Sequence, residues 1–506
     1  MSASSRQPRE LPEQPSLRYL KVEAKRRLAA GEFGTLHDAQ LAVAREHGQP
    51  SWTALKTLIE TETNPALIQV RWAIARFRGA DQPAWPAPAE DELREHFDEN
   101  YLALVPAEMM VKALRPVAAQ LGQDLTVAEA TPVSLRARIG GPAANRPGSP
   151  ASGRAAGLRV EAAVEPAAPH RLTGLRIYPI TEGVADGRLA DPPRESTGPA
   201  PARVRKVLEE GYAELALVGL VAAGNLPQPW AAAHGWADLD RREQVRTGHR
   251  FPAYGTTKAI TSTTVLCLVA EGRIDLDAPA NHYLHTVRLA DDAVTVRSLL
   301  TQTAGVAGPA EQFAEEVPDQ PALLGSTVAC ARGAFRPGNG GYAVLGQLIA
   351  DVTGTPYPEA VHRLVLEPLS MTRSWFPRRW PEADAVLGYD LAEDGRFRPA
   401  PRLVCTMPAA GGLWTTAADL VRFGANWSSL LPAGLRAEAL DAGAEPGVGL
   451  VWRADRARGI YGYPGAGPAG AASLIIRADT GSVAAAVTNR RVSMESIAAR
   501  LIRPLA

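Results

Sequence analysis

Cysteine is nearly absent: Cys267, Cys330 and Cys405 are the 3 in 506 residues, and their spacing matches neither a disulfide framework nor a zinc-ligand pattern. They read as small buried apolar side chains. Net charge is absent too, because Lys plus Arg and Asp plus Glu both total 54. A chain without a global field has nothing to draw it to nucleic acid or to an acidic membrane surface. His96, His170, His249 and His282 show no spacing that points to a metal site or a catalytic pair. The opening MSASSRQPRELPEQPSLRYL has no apolar core of the kind a signal peptide needs. No run of about eighteen uncharged apolar residues marks a membrane span. These absences predict a cytoplasmic protein with no metal, no cofactor, no nucleic-acid partner and no membrane partner.

What is present is core-forming material. Hydrophobic residues make up 46% and charged residues 21%, and 506 residues exceed what one hydrophobic core organises, so several domains are expected. The first sixty or so residues pattern as three short helices, with Leu17, Leu20, Val22, Ala24 and Leu28 on one stretch and Ala39, Leu41, Val43 and Ala44 on the next. Ser51 is placed to cap the third. Through DAQLAVAREHGQPSW (38 to 52), residues 1–62 resemble a small ankyrin-like helical module, which implies a protein partner or a packing role.

Residues 66–188 change character. HFDENYLALVPAEMMVKAL (96 to 114) has helical spacing, whereas LTVAEATPVSLRARI (125 to 139) and GLRVEAAVEPAAPHRLTGLRIYPI (157 to 180) alternate as strands do. The Gly-, Pro- and Ala-rich GGPAANRPGSPASGRAAG (140 to 157) reads as a mobile loop, and ADPPRESTGPAPARVRK (190 to 206) as a break before the next domain. Helices followed by a curved antiparallel sheet resemble the steroid-isomerase-like (NTF2-like) α+β fold.

From residue 200 to 506 motifs arrive in a fixed order: GWADLD (235 to 240), FPAYGTTKAITSTTVLCLVAEGRIDLDAPANHYL (251 to 284), VTVRSLLTQTAGV (294 to 306), FRPGNGGYAVLGQLIADVTGTPY (335 to 357), VLEPLSMTRSWF (365 to 376), AAGGLWTTAADLVRF (409 to 423) and YPGAGPAGAASLII (463 to 476). This series resembles the serine β-lactamase-related and penicillin-binding-protein-like hydrolases, in the class C β-lactamase and esterase branch. The domain order is similar to that of the esterase-like protein of clavulanic acid biosynthesis. The resemblance implies a multidomain α+β chain whose last domain is an antiparallel sheet flanked by helices, with an all-helical subdomain.

The same resemblance implies a site with altered chemistry. In the family a serine attacks an acyl carbonyl, and a lysine three residues later, on the same helix face, shares the proton work with a tyrosine. Here Lys258 is present but Gly255 occupies the serine position, and Pro337 falls where the tyrosine is expected, between Phe335 and Asn339. Tyr342 reads as packing. The strand motif, usually Lys-Thr-Gly or His-x-Gly, is Tyr463-Pro464-Gly465, and Gln302 and Ala304 stand where relatives often have His and Ser. The family's oxyanion hole maps to the main-chain N–H groups of Gly255 and Ala466, and these need no side chain.

The candidate catalytic residues are therefore Lys258, Tyr463 and Thr256, with Gly255, Asn339, Gly465, Ala466 and Trp414 as substrate-binding candidates. Thr256 is either a displaced nucleophile or a helix N-cap; Trp414 either packs or lines the pocket. The leading expectation is a protein of specialised (natural product) metabolism that binds an acyl, lactam or ester-like metabolite. It would act without covalent chemistry, through Lys258 and Tyr463, or serve as a ligand-binding pseudoenzyme. The alternatives are an active esterase or amidase using Thr256 or an ordered water, and an interaction scaffold built on the N-terminal domains.

Overall fold

A computed structural model describes residues 17–502 apart from 105–106, 123, 132, 141–156, 181–186, 190–191, 227, 331–337, 393–395, 441–448 and 456–458. The expected mobile loop between 140 and 157 and the positions Phe335 and Pro337 lie outside, or almost wholly outside, the described residues. The chain divides into two compact units close to residue 180.

The first unit opens with helices α1 (Leu17–Ala29), α2 (Leu36–Glu46), α3 (Trp52–Glu62) and α4 (Pro65–Phe77). Leu20, Ala24, Ala39, Val43, Ala44, Leu55 and Ile59 form a small cluster among the first three. Ser51 caps α3 as its position predicts, its hydroxyl accepting from Ala54 N–H at 3.1 Å. Val22 does not join that face: it is 58% exposed, two residues from both Leu20 and Ala24 and so about 200° around the helix from either. The two alternating segments fold as two hairpins, β1 (Leu125–Thr131) with β2 (Ser134–Ile139) and β3 (Gly157–Val164) with β4 (Leu172–Ile180), in one antiparallel meander. Leu135, Ala137 and Ile139 on β2 and Leu158, Val160, Ala162 and Val164 on β3 point to one face, where they meet Leu67, Val70, Ile74 and Phe77 of α4. Asn64 fastens the start of α4 to the sheet: its Oδ1 accepts from Leu67 N–H at 3.0 Å and its Nδ2 donates to Thr131 C=O at 2.6 Å. The three-helix segment and this helix-and-sheet layer belong to one compact unit, although their two apolar clusters stay distinct.

The second unit is built on an eight-stranded antiparallel sheet. Its strands are β5 (Arg194–Thr197), β6 (Gly219–Gly224), β7 (Trp230–Asp238), β8 (Glu243–Gln244), β11 (Arg453–Asp455), β12 (Ile460–Gly467), β13 (Gly470–Arg477) and β14 (Ser482–Thr488). The order is β11-β12-β13-β14-β6-β7-β5, with β8 also paired to β7. Strand β5 comes from the Pro-rich stretch expected to be a linker. Arg194 to Thr197 pair with His234 to Ala231 at the sheet edge, where prolines on either side leave the ladder intact, so this unit begins before residue 200.

Helix α5 (Ala202–Glu214) packs on α9 (Glu495–Leu501), and α8 (Ala417–Asn426) lies on the sheet. A Cβ on Gly424 would come within 2.7 Å of Val483, so glycine is what lets α8 approach. The central helix α6 (Thr257–Ala270) is buried around its whole circumference from Thr257 to Leu268. Its hydroxyls survive there by bonding the preceding turn: Thr263 to Ala259 C=O and Thr264 to Ile260 C=O, both at 2.9 Å. Outside the sheet, β9 (Phe251–Pro252) pairs with β10 (Trp414–Thr415) and leads into α6. Helix α7 (Gly340–Thr353) packs against α6.

Asn489 is fully buried at the junction of three segments: its Oδ1 accepts from Gly219 N–H at 2.7 Å and its Nδ2 donates to Trp236 C=O at 3.1 Å and Leu387 C=O at 2.9 Å. Asn489→Ala strands three buried backbone groups, and a loss of about 3 kcal/mol is expected. Calorimetry should show a melting temperature several degrees lower; an unchanged value would contradict this role.

Candidate functional site

The site forms where β12 crosses the turn that starts α6. That turn, Tyr254–Thr256, is a single 3-10 turn closed by Thr256 N–H to Ala253 C=O at 3.1 Å. Tyr254 holds a positive φ of 44°, a conformation that costs energy in a bulky residue. Its phenol accepts from Ala469 N–H at 2.9 Å, which fixes the turn to the β12–β13 hairpin.

Close approach sets the geometry. A Cβ on Gly465 would stand 2.2 Å from Ala253 O, 2.5 Å from Gly255 N and 2.8 Å from Thr256 N, so only glycine fits at that point of β12. The contact is reciprocal: a Cβ on Gly255 would meet Pro464 O at 2.9 Å and Gly465 Cα at 3.4 Å. Gly255, Gly465 and Ala466 are thus brought together by backbone alone. Ala466 lies exposed at the lip of the strand.

Lys258, one helical turn beyond Gly255, is 7% exposed. Its Nζ donates to Asn339 Oδ1 at 2.7 Å and to Ala410 C=O at 3.3 Å, and it lies 5.5 Å from the centre of the Tyr342 ring. Burial pulls its pKa down from 10.5 to about 8; the nearby Cys405 thiol opposes that shift and Arg453 reinforces it. Asn339 is itself held by a bond from its Nδ2 to Gln312 Oε1 at 3.0 Å.

Tyr463 is buried, and its phenol accepts from Gln302 Nε2 at 3.3 Å and hydrogen-bonds Tyr342. Burial raises the pKa of both phenols, so both stay protonated around neutral pH. The Arg453 guanidinium lies 5.5 Å from the Tyr463 ring centre. Tyr342, expected to do nothing but pack, shares its hydroxyl with Ser262 Oγ at 3.0 Å and Leu300 C=O at 3.2 Å, and so belongs to the site. Gln302, whose own φ is 59°, joins Tyr463 to the loop before α7: its Oε1 accepts from Gly338 N–H at 3.1 Å. The only sequence signal for Gln302 was its place in the LLTQTAG motif.

Thr256 neither caps the helix nor offers its hydroxyl to the cleft. Its Oγ1 is fully buried and donates to Tyr463 C=O at 3.1 Å. Trp414 is 2% exposed, its backbone pairs with Pro252, and its ring packs against Trp375 and Trp380. It supports the approach to Gly255 and is not a pocket wall. Among the described residues no group of three or more metal-ligating side chains gathers, and no helix is long and apolar enough to cross a membrane.

A family model described as Beta-lactamase matches residues 204–506. The chain is similar to the esterase EstB of Burkholderia gladioli, with 32% identity over 214 residues that cover 37% of this chain and 55% of the esterase. It is similar also to the putative penicillin-binding protein PbpX of Bacillus subtilis (strain 168), with 25% identity over 198 residues covering 37% of this chain and 49% of that protein. The chain therefore spans about half the length of these curated relatives. Among solved structures, a penicillin binding protein from Bacillus halodurans superposes with a TM-score of 0.51 at 20% identity, over 60% of this chain and 98% of that one. A D-stereospecific amidohydrolase from Streptomyces sp. gives a TM-score of 0.51 at 22% identity, over 61% of this chain and all (100%) of that one. At such identities these two likenesses speak for the fold of the second unit alone.

The lowered pKa of Lys258 has a measurable sign. Between about pH 8 and 10.5 the unfolded chain holds a proton on this lysine that the folded chain has lost, so its contribution to stability rises with pH across that window. Relative to Lys258→Met, the wild type should gain up to about 3 kcal/mol between these limits. Urea unfolding of both proteins at pH 7.5 to 10 would show it; parallel stability curves would contradict it.

Proposed function

This chain belongs to the beta-lactamase family, and from that premise we propose that it binds an acyl, lactam or ester-like small molecule beside Gly255 without forming an acyl-enzyme. In this reading Gly255 stands where relatives carry the nucleophilic serine of Ser-x-x-Lys. The observation that carries it is the 2.9 Å separation between a Cβ at Gly255 and Pro464 O, closer than a real Cβ approaches a backbone atom. The position lacks a hydroxyl, and the strand opposite lies in the room a side chain would need.

The remaining hydroxyls on the turn do not replace it. Thr256 Oγ1 is committed to Tyr463 C=O at 3.1 Å, and Thr257 Oγ1 accepts from Leu413 N–H at 3.3 Å. What the site retains is a means of holding a carbonyl. The main-chain N–H groups of Gly255 and Ala466 sit where β12 meets the turn, and fixed amide dipoles stabilise a developing negative oxygen at no cost in reorganisation. The similarity to an esterase and the fold shared with an amidohydrolase support a ligand with an acyl carbonyl. A place in natural product metabolism is part of the same proposal.

A second version, non-covalent catalysis, is favoured by Lys258. With a pKa of about 8, held 2.7 Å from Asn339 Oδ1, it can give or take a proton near neutral pH. Tyr463 and Tyr342 would then supply a protonated phenol pair beside it.

Incubation with a chromogenic β-lactam and an aryl ester, followed by intact mass measurement at successive times, tests the proposal. The expected result is an unmodified mass at every time, with ligand retention seen as a raised melting temperature. A stable adduct on the 255–258 peptide would contradict it. Turnover that disappears in Lys258→Ala without any adduct selects the acid–base version.

A further inference from the structure

Lysine is scarce in this chain. Of the 54 basic residues only Lys21, Lys25, Lys56, Lys112, Lys206 and Lys258 are lysines, and all others are arginine. Lys21, Lys25, Lys56 and Lys206 are exposed, whereas Lys258 is buried in the second unit. Arginine keeps its proton under any physiological condition, while a lysine amine can shed it and act as a nucleophile.

The surroundings of Lys258 suit the neutral amine. A free amine has two hydrogens and one lone pair. Two acceptors are in reach, Asn339 Oδ1 at 2.7 Å and Ala410 C=O at 3.3 Å, and no carboxylate pairs with Nζ among the described residues. Two N–H bonds directed at those acceptors leave the lone pair as the remaining tetrahedral direction. Gly255 has no side chain, and the hydroxyls of Thr256 and Thr257 are held in hydrogen bonds, so the Lys258 amine, one helical turn beyond Gly255, is a nucleophile that this start of α6 still offers.

We propose that Lys258 condenses with the carbonyl of a small aldehyde or 2-oxo acid to form an imine. This inference rests on the carbonyl-binding reading above and changes the ligand class it takes. Nζ attacks the carbonyl carbon, the carbonyl π pair moves to oxygen, and a carbinolamine results. Nζ then supplies the second carbon–nitrogen bond as the oxygen leaves. The two amine hydrogens depart with that oxygen as water, so no oxidant, reductant or further reactant enters. The amides of Gly255 and Ala466 face the oxygen as charge builds on it. The Arg453 guanidinium, beside Tyr463, adds a positive charge that favours a carbonyl compound carrying a carboxylate.

The test is reductive trapping on the full chain. Incubation with glyoxylate and cyanoborohydride between pH 6 and 9, followed by peptide mapping, compares the six lysines in one experiment. The expected result is carboxymethylation of Lys258 on the order of tenfold faster than of Lys206, because far more of it is unprotonated. Its rate should rise through about pH 8, and the preference should vanish when the chain is unfolded in urea. Full labelling of the exposed lysines with Lys258 untouched would overturn the proposal. The melting-temperature shift with the unreactive lactam or ester separates the two levels of inference. If that shift persists while Lys258 stays unlabelled, the imine falls and the carbonyl-binding reading stands; if neither is seen, both fall.

Discussion

The second unit depends on one close approach: the backbone of Pro464 and Gly465 on β12 pressed against the turn Tyr254–Thr256. The 2.2 Å and 2.5 Å separations that a Cβ on Gly465 would have from Ala253 O and Gly255 N leave no freedom on the strand side. The 2.9 Å separation from Gly255 to Pro464 O leaves none on the helix side. Tyr254, with its positive φ and its bond from Ala469, and Thr256, bonded to Tyr463 C=O, fasten the two surfaces. Such strain persists only where the surroundings over-determine it. Here it keeps the backbone of Gly255 and Gly465 in close contact at the start of α6.

Around that contact the polar groups form a connected set and not a row of leftovers. Lys258 is bonded to Asn339, whose neighbour Gly338 donates to Gln302; Gln302 donates to Tyr463, and Tyr463 is bonded to Tyr342, whose ring lies beside Lys258. Lys258, Gln302, Tyr342 and Tyr463 are buried and hydrogen-bonded, while Asn339 is half-buried and Gly338 exposed, and these bonds keep the desolvation cost from becoming a loss of stability. Its members come from α6, the loop before α7, α7 itself, the segment holding Gln302 and β12, so the circuit also ties the helical part of this unit to the sheet.

Much of this was legible in the sequence. The ordered motifs from residue 235 onward singled out Lys258, Asn339, Gly465 and Gly255, and the structure brings Lys258 to Asn339 and Gly255 to Gly465, because such motifs are local and keep their spacing. The hairpins of the first unit followed from period-two alternation. What was hidden depends on contacts distant in sequence. Arg194–Thr197 looks like linker because of its prolines, yet an edge strand tolerates proline next to it and needs only a partner, which β7 supplies. Thr256 looked like a nucleophile or a cap because periodicity cannot show that a strand 207 residues later offers it a carbonyl. Tyr342 and Gln302 are ordinary residues in a helical and a loop pattern, and their roles exist only once Tyr463 is brought between them. Val22 was misplaced because two residues along a helix turn a side chain by about 200°, to the side away from Leu20 and Ala24.

The central claim is that β12 occupies the space a side chain at 255 would require. A crystal structure of the Gly255→Ser variant measures this directly. The account predicts that Pro464 O is displaced and the strand drawn back from the turn, since a real Cβ does not rest 2.9 Å from a backbone oxygen. A seryl side chain accommodated with Pro464 and Gly465 in their present places would contradict it.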